Sequence, residues 1–191
     1  MNSNLFNQVG YVLMRPALGI EELDVLSHYV RGAAGPATAK SGDPLVPHAL
    51  AAYADPVLEI LLERFLPIVE SEIGLKLYPT YSYLRIYQTG DRLPKHKDRP
   101  ACEISVTLSL GYDPDEPWPL WMESDGKSVF VSLKRGDGLI YKGMEVHHWR
   151  EVYPGRYAAQ AMLHYVNREG LHREWKFDKR PGLGCPQRSA A

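Results

Sequence analysis

The chain has 191 residues, 45% of them hydrophobic, and its 22 Lys and Arg against 23 Asp and Glu leave a formal net charge of -1. That balance excludes a disordered polyelectrolyte, a collagen-like or low-complexity repeat, and a strongly basic protein that coats nucleic acid. At roughly 150 residues per domain the length fits one domain, with a core that buries on the order of 70% of the unfolded chain's surface. Two cysteines, Cys102 and Cys185, are too few for a disulfide framework and read as reduced thiols.

Met1 to Gln8 has neither a basic leader nor a long apolar run, and no stretch reaches the roughly 18 apolar residues of a membrane span. A cytoplasmic protein with no membrane partner is the expectation. Val9 to Met14 predicts an opening strand, and Leu23, Leu26 and Val30 give Ile20–Val30 helical spacing. Arg31 to Leu50 turns to Gly, Ala, Pro and Ser and reads as a long loop. Asp55 then offers a cap to Pro56 at the first helical position. Val57, Leu58, Leu61, Leu62, Phe65 and Ile68 share one face of the helix that follows, which Pro67 should bend and Gly74 should end.

From Leu77 the period changes to two. Tyr81, Tyr83, Arg85 and Tyr87 fall on one face of a strand, with Ser82, Leu84 and Ile86 on the other. Cys102 to Leu110 alternates in the same way, and shorter strands are predicted at 120–123, 128–133, 138–141, 146–153 and 157–166. An apolar face packed under helices leaves a second face of hydroxyls and a guanidinium, which suits a hydrated cavity inside a barrel or sandwich. The expected class is α+β: a jelly-roll or cupin-like double sheet, core about 77–166, braced by helical support over residues 1–76 and followed by a tail 167–191 in a single domain.

Of seven histidines, His96 stands out because it precedes Lys97-Asp98 just after the turn Gly90 to Pro94. Residues two apart in extended chain project the same way, so an imidazole and a carboxylate can face one space. A solvated turn is the ordinary explanation for such a tripeptide. With a second imidazole the pair would form a two-histidine, one-carboxylate face that leaves three positions open on an octahedral iron(II). The distal half supplies Gly136 to Gly143, then His147-His148-Trp149-Arg150-Glu151, then Arg156. Neighbours on a strand face opposite sides, so only one of His147 and His148 can point inward. An arginine close to that histidine could take an acid's carboxylate bidentately.

The stretches LYPTYSYLRIYQTGDRLPKHKDRPACEISVTLSLGY, VSLKRGDGLIYKGMEVHHWREV and YAAQAMLHYV resemble, in order, the double-stranded β-helix core of iron(II)- and 2-oxoglutarate-dependent dioxygenases of the prolyl-hydroxylase-like branch. The resemblance implies Fe(II) as metal, with 2-oxoglutarate and O2 as cosubstrates and succinate and CO2 as products. It maps His96 and Asp98 to the proximal ligand pair. It favours His148 over His147 as the third ligand, because similar members carry a lone histidine before Trp-Arg-Glu. Tyr87 resembles the tyrosine that bonds the cosubstrate carboxylate, with Arg85 and Tyr83 on the same face. For the cation that meets the remote carboxylate, Arg150 and Arg156 both remain open. The implied substrate is small and polar, or an amino-acid or peptide side chain.

Two rival readings are a cupin-like metalloenzyme that ignores 2-oxoglutarate and a non-catalytic β-helix binding module. Tyr81 and Tyr83 can be cross-strand packing. His164 and His172 read as structural or exposed, Trp118, Trp121 and Trp149 as core or rim aromatics, and the short basic tail 172–180 as a solvated or docking segment rather than a nucleic-acid site.

Overall fold

The computed structural model describes residues 3–32, 39–113 and 116–185. A short helix, α1 (Ser3–Val9), leads into β1 (Tyr11–Met14) and α2 (Ile20–Arg31). Next come β2 (Lys40–Ser41), β3 (Leu50–Tyr53) and the long helix α3 (Pro56–Ile73). Strands then dominate: β4 (Leu77–Tyr87), β5 (Leu93–His96), β6 (Ile104–Asp113) and β7 (Leu120–Ser124). The last four are β8 (Lys127–Val131), β9 (Gly138–Lys142), β10 (His148–Arg150) and β11 (Tyr157–Asn167). A 3-10 turn occupies Pro100–Cys102, and Arg173–Lys179 forms two turns separated by non-helical backbone at Lys176, Phe177 and Asp178.

Helix α3 begins and ends where its sequence says it should. The Asp55 carboxylate accepts the Val57 and Leu58 N–H groups at 3.1 and 3.3 Å, which satisfies donors that the first turn leaves free. Gly74 closes the helix at φ 73° and donates its N–H to the Glu70 carbonyl. Pro67 sits inside the helix without ending it. The buried face of Leu58, Leu61, Leu62, Phe65, Val69 and Ile73 is worth about 1.5–3 kcal/mol per side chain, and Ile68, expected on it, is exposed because the face continues through Val69 instead.

The strands form two antiparallel sheets, one of seven strands in the order β1-β9-β6-β11-β4-β3-β2 and one of four in the order β5-β10-β7-β8. The helices cover the outer face of the large sheet, where α3 side chains share one core with Leu84 and Ile86 of β4, Val106 and Leu108 of β6, and Leu163 of β11. Between the sheets, Leu120, Met122, Val131, Leu139 and Val146 form a second, dry cluster at one end. The cavity described below opens beside it. This is an α+β, double-stranded β-helix architecture. No described helix is long and apolar enough to cross a membrane.

The periodic segments lie where the alternation predicts them, within a few residues at each end. The differences fall on short or polar stretches. Residues 3–9 are helical, and β1 starts only at Tyr11. The expected loop from Arg31 to Leu50 contains β2, and β3 begins at its last residue, so the N-terminal region adds edge strands to the large sheet as well as helices; residues 33–38 of that loop lie outside the described residues. The tail is a docked segment rather than a solvated one. Asp178 is buried and takes both terminal nitrogens of Arg99 at 2.8 Å, and buried Arg180 pairs with Glu59 of α3.

Candidate metal centre

Because β4 alternates, its inner face carries Tyr81, Tyr83, Arg85 and Tyr87, which line a cavity of about 650 Å3 between the sheets. The two tyrosines left open as packing residues therefore face this cavity. Tyr83 donates its hydroxyl to Asp43 at 2.8 Å, and Tyr81 packs 4.6 Å from the His164 ring.

The turn after β4 is fixed by Asp91, whose carboxylate takes the Gln88 N–H at 2.7 Å. That turn delivers β5 alongside β10, where His96 and His148 stand directly opposite each other with ring centroids 4.3 Å apart. Each imidazole is oriented by its own backbone: Nδ1 of His96 meets the Pro94 carbonyl at 2.8 Å, and Nδ1 of His148 meets the Val146 carbonyl at 3.0 Å. A carbonyl can only accept, so both Nδ1 atoms carry a proton, and in the neutral imidazoles the Nε2 lone pairs face the pocket. Both Nε2 atoms lie 3.5 Å from the same oxygen, Oδ1 of Asp98. The three donor atoms all lie within 4.8 Å of one another. Two donors 3.5 Å apart can both touch one ion at about 2.1 Å. Protonated Nδ1 groups bonded to carbonyls are the usual outer support of metal-bound histidines.

Asp98 is held from behind. Its N–H bonds the Gly143 carbonyl at 2.9 Å, and its Oδ2 accepts the Ser105 hydroxyl at 3.0 Å. Ser105 in turn receives Nδ1 of buried His164 at 2.9 Å. Burial alone would raise the Asp98 carboxyl, but the His96 hydrogen bond and the nearby histidines hold it below its usual range. For His96, burial pulls the imidazole down, and bonding to Asp98 and to the Pro94 carbonyl more than offsets it, so its pKa is raised. His148 is lowered by burial, and the Asp98 charge only partly opposes this. Burial pushes His164 down to about 4, so it stays a neutral donor.

Asp98, Cys102 and His164 also bring donor atoms within 4.8 Å. Burial and the Asp98 charge push the Cys102 thiol up, however, and the thiol rests 3.0 Å from the Tyr81 hydroxyl. A protonated thiol and a histidine already committed to Ser105 make this group a support for Asp98.

The candidate cations separate clearly. His147 lies outside the pocket, bonded to Glu123 at 2.8 Å. Arg156 is also outside: its side chain is 87% exposed and pairs with Asp113 at 2.8 Å. Arg150 points inward, 4% exposed, donating to the Trp118 carbonyl with its guanidinium 4.9 Å from the Trp118 ring. No carboxylate among the described residues pairs with it, and burial pulls its pKa down. Arg85 is buried too, but bonds Asp43 and, at 3.2 Å, the Tyr87 hydroxyl. Sequence reasoning missed Asp43, Ser105 and Gly143 as members of the site. Each arrives through a contact that no local pattern announces.

No protein-family model and no curated protein matches the sequence. The fold itself has solved relatives, and their class is the non-haem iron oxygenases that use 2-oxoglutarate. A Pseudomonas putida prolyl-4-hydroxylase matches with TM-score 0.69 at 17% identity over 87% of this chain and 97% of its own. A Burkholderia pseudomallei oxidoreductase of the 2OG-Fe(II) oxygenase family gives 0.69 at 14% identity, covering 90% and 91%. The α-ketoglutarate-dependent epimerase SnoN from nogalamycin biosynthesis gives 0.72 at 13% identity, covering 97% and 90%. At these identities the likeness is one of fold, and the fold is the double-stranded β-helix.

Proposed function

We propose that this chain is an Fe(II)- and 2-oxoglutarate-dependent dioxygenase that hydroxylates a small polar, amino-acid or peptide substrate and acts as a single domain. The observation that carries the reading is the convergence of the Nε2 atoms of His96 and His148 on one oxygen of Asp98, inside a cavity that also holds a buried arginine with no carboxylate partner among the described residues. Two imidazoles and one carboxylate are a donor set suited to iron(II), and they occupy a single face of any ion they hold. Bound iron would supply the redox chemistry, coupling reduction of O2 to decarboxylation of 2-oxoglutarate, with succinate and CO2 released and one oxygen atom placed on the substrate.

The protein's own residues do the rest. His96, Asp98 and His148 hold the metal, with Ser105 and Gly143 fixing the carboxylate. Arg150 is the group for the remote carboxylate of 2-oxoglutarate, because a buried uncompensated guanidinium gains most from an arriving anion and its planar fork fits a carboxylate. Tyr87, edge-on to Trp118 at 4.9 Å, contributes a hydroxyl beside it. Arg85 already has its counter-charge in Asp43 and is less suited to that task. Anaerobic titration with Fe(II) and 2-oxoglutarate should develop a visible charge-transfer band, and aerobic turnover should release succinate. His96→Ala and Asp98→Ala should lose both signals, and wild-type protein that shows no band would sink the reading.

A further inference from the structure

Arg85 is 6% exposed and lines the cavity, yet its Nε has no acceptor among the described residues. Each of the other two guanidinium nitrogens makes one bond, Nη1 donating to the Tyr87 hydroxyl and Nη2 to Oδ2 of Asp43, so Nε is the nitrogen left with no bond at all. A buried N–H left without an acceptor costs free energy, so an arriving oxygen at this point is favoured. The kind of oxygen depends on Asp43. Its Oδ1 accepts the N–H groups of Leu45 and Val46 at 2.9 and 3.0 Å, and its Oδ2 accepts the Tyr83 hydroxyl at 2.8 Å together with Arg85. A carboxylate has about four lone-pair sites, and these four donors fill them. The turn that presents Asp43 is also closed tightly, since a β-carbon on Gly42 would fall 1.9 Å from the Val46 carbonyl oxygen. Asp43 is thus a fixed counter-ion, with no site left for a substrate ammonium.

Two buried arginines therefore offer different chemistry to an occupant. Arg150 presents a charge that no described carboxylate compensates. Arg85 presents its unbonded Nε–H beside a carboxylate that already balances its charge, so a second anion there meets like-charge repulsion in a poorly solvated place. We propose that Arg85 is the specificity-determining residue of the pocket and that the substrate offers its Nε–H an uncharged acceptor, the carbonyl oxygen of an amide. The inference deepens the dioxygenase reading by naming the substrate class, but the binding it asserts does not need metal or turnover.

The test is calorimetric titration with acetamide, benzamide and cyclohexanecarboxamide, each against its carboxylate, on metal-free protein and on protein with Mn(II) and 2-oxoglutarate. Arg150→Gln is titrated in parallel, so that an anion captured at Arg150 is not read as binding at Arg85. At least one amide should bind Arg150→Gln ten-fold or more tightly than its carboxylate. Arg85→Gln should lose that preference. Asp43→Asn, which leaves Arg85 uncompensated, should shift it toward the carboxylate. The proposal is overturned if no amide binds, if carboxylates are preferred in Arg150→Gln, or if Asp43→Asn leaves the ratio unchanged. Failure of Mn(II) and 2-oxoglutarate to bind would count against the dioxygenase reading alone, because the amide comparison is complete without them.

Discussion

Gly143 lies so close behind Asp98 that a β-carbon on it would fall 2.5 Å from the Asp98 Oδ2 and 2.3 Å from the Cys102 carbonyl oxygen. The same glycine accepts the Asp98 N–H, so it is both the backbone anchor of the carboxylate and the space it needs. Gly143→Ala must move either a backbone carbonyl or Asp98 itself. It should weaken Mn(II) binding about 10–100-fold, the usual cost of disturbing a ligand's support. It should also lower stability by about 1–3 kcal/mol through overpacking. Metal titration and a thermal melt read the two effects separately, and unchanged metal affinity would show that Asp98 is not a ligand or not held from this side.

The Ser105 hydroxyl links His164 to the same oxygen of Asp98. Ser105→Ala removes the bond to Oδ2 and leaves the buried His164 Nδ1 without its acceptor, at a cost of about 1–3 kcal/mol in stability. Metal affinity should fall roughly ten-fold. Ser105→Thr, which keeps the hydroxyl, should recover more of the metal affinity than of the stability. Equal metal affinity in the alanine variant and wild type would remove Ser105 from the site's support.

Much of the site is legible from strand period. Once β4 alternates, Tyr81, Tyr83, Arg85 and Tyr87 must share a face, and the tripeptide at His96 supplies two donors by the same rule. The rival histidines are separable only in three dimensions, where His148 pairs in register with His96 and His147 turns to Glu123. The strand bearing His96 was hidden because Leu-Pro-Lys-His is too short and polar to show a period, and β3 because Leu50–Tyr53 is only four residues long. Ser105 looks like any polar residue of an alternating strand. Its role comes from a turn and from a strand far away in sequence, and Asp43 likewise meets Arg85 only through the fold.

Arg150 and Arg156 should differ sharply in a 2-oxoglutarate titration. Arg150 is buried with no carboxylate beside it among the described residues, while Arg156 is exposed and serves Asp113. Arg150→Gln should weaken 2-oxoglutarate binding about 100-fold or more, in line with loss of a buried charge-assisted pair. The ligand-free Arg150→Gln protein should melt no earlier than wild type, because the substitution removes a desolvated, unpaired charge. Arg156→Gln should bind 2-oxoglutarate as wild type does. The reverse pattern would transfer the assignment to Arg156 and require the loop at Asp113 to rearrange.

Asp178 gives a pH dependence with a definite sign. Burial works against its charge, yet the paired Arg99 guanidinium and the Tyr53 hydroxyl, with Arg180 nearby, hold its carboxyl below the usual range. A carboxylate whose pKa is lower folded than unfolded contributes stability that is fully present above the unfolded value of about 3.9 and is lost as pH falls through the folded value. Asp178→Asn should therefore be clearly less stable than wild type at pH 7, because it strips Arg99 of its partner. The gap between the two should narrow as pH drops below about 4. Urea midpoints at pH 7, 5 and 3 test this. A gap that stays constant to pH 3 would mean that the contribution of Asp178 is packing rather than its charge.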